Sequence, residues 1–304
     1  MRLKLDLPSL ARSLLLLAAF SAGAQAAESR SVETAFGAVK LNGTPLRVVT
    51  LDESALDTAL AVGITPVGTV STRGSSGISD YLKAQAGNLQ IVGTTRAPNL
   101  ESIFKLKPDL ILASASTTRD LYTSYSALAP TIVPKTDSSD WQAGTRTYAL
   151  ALGRESQAEA ALAAVAARAA GLKARIPAGQ SVSVVRWMPQ GPMTMSSHIF
   201  VGSLLQQVGL QGTPLAQGLK KPHSDVLSLE NLGKIDADWL FIASLNAEGA
   251  KTLEEARKQP AFERLQAVQT GRTVTVDGQV WSSGSGPLAA NKVLDDVEQA
   301  LIQP

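Results

Sequence analysis

A chain of 304 residues carries 28 basic and 26 acidic side chains, two histidines and no cysteine. The cysteine count excludes disulfides, a lipid-modified N-terminal cysteine and thiolate metal sites. The near balance of charge excludes the basic footprint of a nucleic-acid binder.

The first 26 residues predict a secretory leader. Arg2, Lys4 and Arg12 give a positive start, Ser13 to Phe20 form a short apolar run, and Ala24-Gln25-Ala26 makes an A-x-A cleavage site. That run is shorter than the roughly 20 residues needed to span a bilayer. The expected mature protein therefore starts near Ala27, is released into the periplasm and has no membrane anchor. The leader takes three basic residues and one acidic residue with it, leaving 25 of each.

From Arg47 onward, short apolar runs alternate with helical patterns. Strands are expected at Arg47–Leu51, Thr65–Val70, Leu89–Val92, Leu110–Ala113 and Thr131–Val133, with helices at Ser54–Val62 and Leu100–Leu106 between them. Such alternation argues for βαβ units and a largely parallel sheet. A long alanine-rich helix follows. Ser156-Gln157-Ala158-Glu159 has the pattern of a capping box, and Pro177 marks the end. About 20 residues at ~1.5 Å each give a rod of roughly 30 Å, enough to join two lobes. Beyond it, strands are expected at Ser181–Trp187, Trp239–Ala243 and Thr273–Val276, and helices at Val201–Val208, Leu229–Ile235 and Pro287–Gln303.

One internal echo ties the halves together. Leu100-Glu101-Ser102-Ile103-Phe104-Lys105-Leu106-Lys107-Pro108-Asp109 precedes one strand, and Leu229-Glu230-Asn231-Leu232-Gly233-Lys234-Ile235-Asp236-Ala237-Asp238 precedes another. Leu, Glu, an aliphatic, Lys, an aliphatic and Asp recur in one register. The expected division is an N-terminal lobe over 27–153, a connecting helix over 154–177 and a C-terminal lobe over 178–304.

The opening RVVTLDESALDTALAVGITPVG, the stretch NLESIFKLKPDLILAS and the central helix resemble the binding proteins of ABC importers for ferric siderophores, ferric dicitrate and cobalamin. VGTTRAPNLE and YTSYSALAPTIV are most similar to the ferric dicitrate type. The resemblance implies the class III periplasmic-binding-protein fold: two α/β lobes, each with a mostly parallel sheet, bridged by one long helix. It also implies that Glu101 and Glu230, one on each lobe, dock on arginines of the permease.

Candidate ligand residues follow from chemistry. Open parallel sheets bind ligands beyond the carboxyl ends of their strands. Arg73, Arg96 and Arg119 follow three of the expected strands, and Arg186 lies at the end of a fourth. Ferric complexes of carboxylates and catecholates are commonly anionic, and a guanidinium meets a carboxylate with two parallel hydrogen bonds. Trp187 and Trp281, at loop ends, are expected to cover the carbon skeleton of such a ligand, with Met188 beside them. Tyr122 follows Arg119 closely; Trp239 reads as core. His198 and His223 do not make a metal cluster with acidic neighbours. No P-loop, G-x-S-x-G or G-x-G-x-x-G motif is present, so no enzymatic activity and no resident cofactor are expected. The expected protein is a monomeric carrier of a ferric siderophore or ferric-citrate-type complex. The alternatives are the same fold carrying cobalamin, haem or a metal ion, or an exported hydrolase.

Overall fold

The computed structural model describes residues 29–136 and 138–302. The expected leader and its cleavage site lie outside them. A hairpin of β1 (Ser29–Thr34) and β2 (Gly37–Asn42) opens the described chain. The first sheet contains β3 (Val48–Thr50), β4 (Gly68–Ser71), β5 (Gln90–Thr94), β6 (Ala97–Pro98), β7 (Leu110–Leu112) and β8 (Thr131–Ile132). Its order is β6-β5-β4-β3-β7-β8, parallel except for the last turn back at β6. The second sheet holds β9 (Ser181–Met188), β10 (Gly191–Thr194), β11 (Gln211–Gly212), β12 (Trp239–Ser244) and β13 (Thr273–Asp277). Here β9, β12 and β13 run parallel, while β10 folds back antiparallel on β9.

The two sheets share a connecting helix over Glu155–Lys173. Its Ala158 packs into the core of the first lobe, beside Val48, Leu110 and Tyr148. Leu162, Val165, Ala169 and Leu172 pack into the core of the second, beside Val182, Phe200 and Phe241. One rod is therefore built into both hydrophobic cores. Arg168 ties the same helix to Asp295 and Glu298 of the last helix, Pro287–Leu301.

The expected capping box does not form. The preceding segment Trp141–Leu152 is itself a helix, closed by Gly153 in the left-handed region at φ 65°. That leaves Arg154 as the N-cap of the next helix and places Ser156 inside its first turn. The Leu229–Ile235 element is a 3₁₀ helix rather than an α-helix.

The internal echo has a structural meaning at its last position. Asp109 accepts hydrogen bonds from the backbone N–H of Leu46 (2.8 Å) and Arg47 (2.9 Å), just before β3. Asp238, at the matching place in the second lobe, accepts from the backbone N–H (2.7 Å) and hydroxyl (2.8 Å) of Ser181, the first residue of β9. In each lobe the aspartate before one strand fastens the start of the parallel neighbour.

A second contact between the lobes is polar. Asp57 lies on the Glu53–Ala61 helix with its side chain fully buried. Its carboxylate accepts hydrogen bonds from the backbone N–H of Leu288 (2.9 Å) and Ala289 (2.7 Å) and from the Tyr81 hydroxyl (3.0 Å). Burial pushes its pKa up to about 7 although all three donors oppose the rise. The folded state then holds a proton that the unfolded chain has released, so stability is greatest below the unfolded value near 4 and falls as pH rises to about 7. Asp57→Asn is expected to flatten that slope in a pH series of thermal melts; an unchanged slope would assign it to other groups.

Candidate functional site

The carboxyl ends of the parallel strands in both sheets open on one cavity of about 860 Å³ between the lobes. The first lobe contributes Asp52 and Glu53 after β3, Thr72 and Arg73 after β4, Arg96 after β5, and Ser114 and Ser116 after β7. β3 and β7 are adjacent in space although β3 is followed in sequence by β4, so the cavity lies at the switch point where crossovers diverge and a crevice forms. The second lobe contributes Arg186 and Met188 from β9, Leu245 and Asn246 after β12, and Trp281 to Ser285 after β13. Trp141 and Tyr148 line it from the helix that leads into the connecting rod.

Two guanidinium groups line this space, one from each lobe, in unlike states. Arg73 is already paired: its Nε donates to Glu53 Oε1 at 3.1 Å and its Nη2 to Oε2 at 3.3 Å, a two-point contact with a carboxylate that is only 6% exposed. Burial acts to lower the Arg73 pKa, but Glu53 outweighs it and holds the group above its ordinary value. Arg186 has no such partner. Among the described residues its buried Nε–H meets no acceptor, and its Nη2 reaches the Met193 sulfur at 3.6 Å. Burial, then the facing charge of Arg73, pulls its pKa below the ordinary arginine value. A half-buried cation with an orphaned donor and a like charge opposite is an anion-seeking group.

The remaining expectations divide by geometry. Arg96 is exposed and lines the mouth. Arg119 does not reach the cavity: it is the first residue of the Arg119–Ser126 helix, and its guanidinium lies over the Phe36 ring, 4.6 Å from the centroid. Phe36, on the turn between β1 and β2, also stacks on Tyr122 at 4.4 Å. Trp187 is likewise elsewhere. Side chains alternate along a strand, so where Arg186 and Met188 face the cavity, Trp187 faces the other side of the sheet. There it is 2% exposed and packs edge-on against Phe262. Trp281 does line the cavity, with most of its ring spent on the core. It stacks on Phe241 at 4.6 Å and donates its Nε1–H to Asp296 at 2.8 Å. Trp239 is partly buried against the same core, under Arg272. His223 lines the cavity; the His198 Nε2 lies 2.9 Å from the Gln217 carbonyl oxygen.

The sequence reading missed Tyr148 and assigned Trp141 no role. The signal was available: Asp140 followed by WQAGTRTYALAL and a glycine is a capped helix with a left-handed stop.

Glu101 and Glu230 are both exposed. Glu101 pairs with Lys105 one turn on, at 2.7 Å. Among the described residues no helix is long and apolar enough to cross a membrane.

Residues 48–280 match the family model described as periplasmic binding protein. The chain belongs to that family. Within it, a probable siderophore-binding lipoprotein of Bacillus subtilis strain 168, YfiY, is 30% identical over 283 residues, covering 89% of this chain and 87% of its own. The Fe(3+) dicitrate-binding periplasmic protein FecB of Escherichia coli strain K12 is 26% identical over 269 residues, 88% of each chain. The crystal structure of Staphylococcus aureus SirA complexed with staphyloferrin B superposes with a TM-score of 0.80 at 28% identity, covering 90% of this chain and 98% of SirA. Two α/β lobes bridged by one long helix are the class III fold of these periplasmic binding proteins.

Proposed function

We propose that this chain is the periplasmic substrate-binding component of an ABC importer, and that it carries an anionic ferric complex of the siderophore or ferric-citrate type. The observation that carries the reading is Arg186, unpaired and facing Arg73 across a cavity shared by both lobes. An anionic chelate would satisfy the free guanidinium and offset the repulsion between the two. One hydroxyl of the Ser114–Ser116 pair, with those of Ser283 and Ser285, offers donors to its other oxygens, while Met188, Trp141 and Trp281 offer apolar surface to its carbon skeleton. The iron arrives already wrapped, as cargo. The relatives named above, one a probable siderophore binder, one a ferric dicitrate binder and one solved with staphyloferrin B, support this class of cargo over cobalamin or haem.

The reading includes removal of the leader near Ala26, a monomer in the periplasm, and lobes over 27–153 and 178–304 joined by 154–177. The cargo is tested by native mass spectrometry of protein purified from iron-starved cells. A co-purified mass equal to a ferric chelate is expected. Cobalamin, haem or a hydrolysed product in its place would overturn the assignment.

Delivery rests on Glu101 and Glu230 as permease-docking residues. Both are solvated, so their removal should hardly affect folding. Glu101→Ala combined with Glu230→Ala is expected to leave ligand affinity unchanged and to lower uptake of the ferric complex by reconstituted cells about tenfold or more. Unchanged uptake would remove the pair from the docking surface.

A further inference from the structure

The last helix, Pro287–Leu301, has no cap of its own. Its N-cap is Gly286, which makes no side-chain contact and sits at φ 124°, in the region that favours glycine. The free N–H groups of its first turn, at Leu288 and Ala289, are instead taken by Asp57, a residue of the other lobe more than 200 positions earlier. The fit leaves no slack, since a Cβ on Gly286 would collide with the Asp57 carboxylate. Tyr81, on the Asp80–Ala86 helix of the first lobe, supplies the third donor.

The position of this contact couples it to the cavity. Four residues before Asp57, one turn away on the same helix, Glu53 grips Arg73. Immediately before Gly286, residues Trp281 to Ser285 form part of the opposite wall. The contact therefore joins the helix that aims Arg73 to the segment that bounds the cavity from the second lobe. We infer that Asp57 is a positioning residue: by capping the last helix across the lobe boundary it fixes the angle between the lobes, and so the separation at which Arg73 and Arg186 face a ligand. Above about pH 7, where the comparison is made, Asp57 is ionised and offers two acceptor oxygens; asparagine keeps the shape but offers one, so one first-turn N–H loses its partner. Phenylalanine at 81 removes only the third donor.

The absence of cysteine allows a direct measurement. Spin labels on Asp120→Cys in the first lobe and Glu255→Cys in the second report the interlobe distance in the complete mature chain. Asp57→Asn is expected to shift that distance or at least double the width of its distribution, and Tyr81→Phe to do so to a smaller degree. If Asp57→Asn does not fold, Tyr81→Phe decides by the same readout. Distributions that superimpose on the parent's would overturn the inference, whatever happens to the melting temperature, because a purely structural cap would alter stability alone. The consequence for binding rests on the ferric-chelate reading above. A ferric complex that binds the parent, with ferric citrate the first probe, is expected to bind Asp57→Asn at least tenfold more weakly. A changed distance with unchanged affinity would remove the positioning role. The distance readout needs no ligand, so a wrong cargo would leave it standing.

Discussion

Replacing Arg186 with methionine is expected to have two effects of opposite sign. Binding of the anionic ferric complex should weaken by about ten- to a hundredfold, since a charge-assisted hydrogen bond contributes roughly 1.5–3 kcal/mol and each ~1.4 kcal/mol is a factor of ten. The unliganded protein should become more stable. In the free state the guanidinium is half buried, lacks an acceptor at Nε and faces a like charge, all of which are relieved when an apolar chain of similar length replaces it. Calorimetric titration and thermal melts on the same samples would read both. Weaker binding together with lower stability would mean that Arg186 serves the fold. Arg73→Met is a poorer experiment because it leaves the buried Glu53 carboxylate without its cation, so loss of binding could not be separated from damage to the cavity wall.

Trp281→Ala should produce the largest loss of stability at the site. The indole is 1% exposed, stacked on Phe241 and hydrogen-bonded to Asp296. Deleting a buried tryptophan costs about 3–5 kcal/mol, and here it also leaves Asp296 without one of its two partners. Trp187→Ala should cost a similar amount, because that ring is equally buried against Phe262. The two differ in the response to ligand. Trp281 lines the cavity and Trp187 does not, so ligand-induced quenching should diminish in Trp281→Phe and persist in Trp187→Phe. Denaturant unfolding measures the first quantity and a fluorescence titration the second. Quenching that disappears with Trp187 instead would place the ligand on the other side of the β9 sheet.

That contrast also explains how much of the site was legible in the sequence. Strand positions followed from short apolar runs between breakers, and Arg73, Arg96 and Arg186 followed from the rule that ligands gather at carboxyl ends of parallel strands. Trp187 failed because it does not stand at a loop end. Its strand runs on to Met188 and turns back into β10, so the alternation of faces continues past it and carries the indole into the core. Arg119 failed because the residues after β7 lead into a helix with Thr118 as its cap, which lays the guanidinium on a hairpin the sequence pattern had not disclosed. Ser156 failed because a capping-box pattern is local, whereas the helix start was set by the neighbouring helix ending at Gly153. Asp57 left no trace. In the sequence it is one polar residue in a helix; two of its partners are backbone groups more than 200 residues away.

The central claim is that an anionic iron chelate is held between the lobes on the free guanidinium of Arg186. Anomalous diffraction at the iron edge, from crystals grown with the ferric complex that binds, locates the metal without reference to any model of the ligand. A single iron peak in the interlobe cavity, with chelate oxygens within hydrogen-bond reach of Arg186, is the predicted result. A peak outside that cavity, or one inside it with Arg186 still unpaired, would contradict the account.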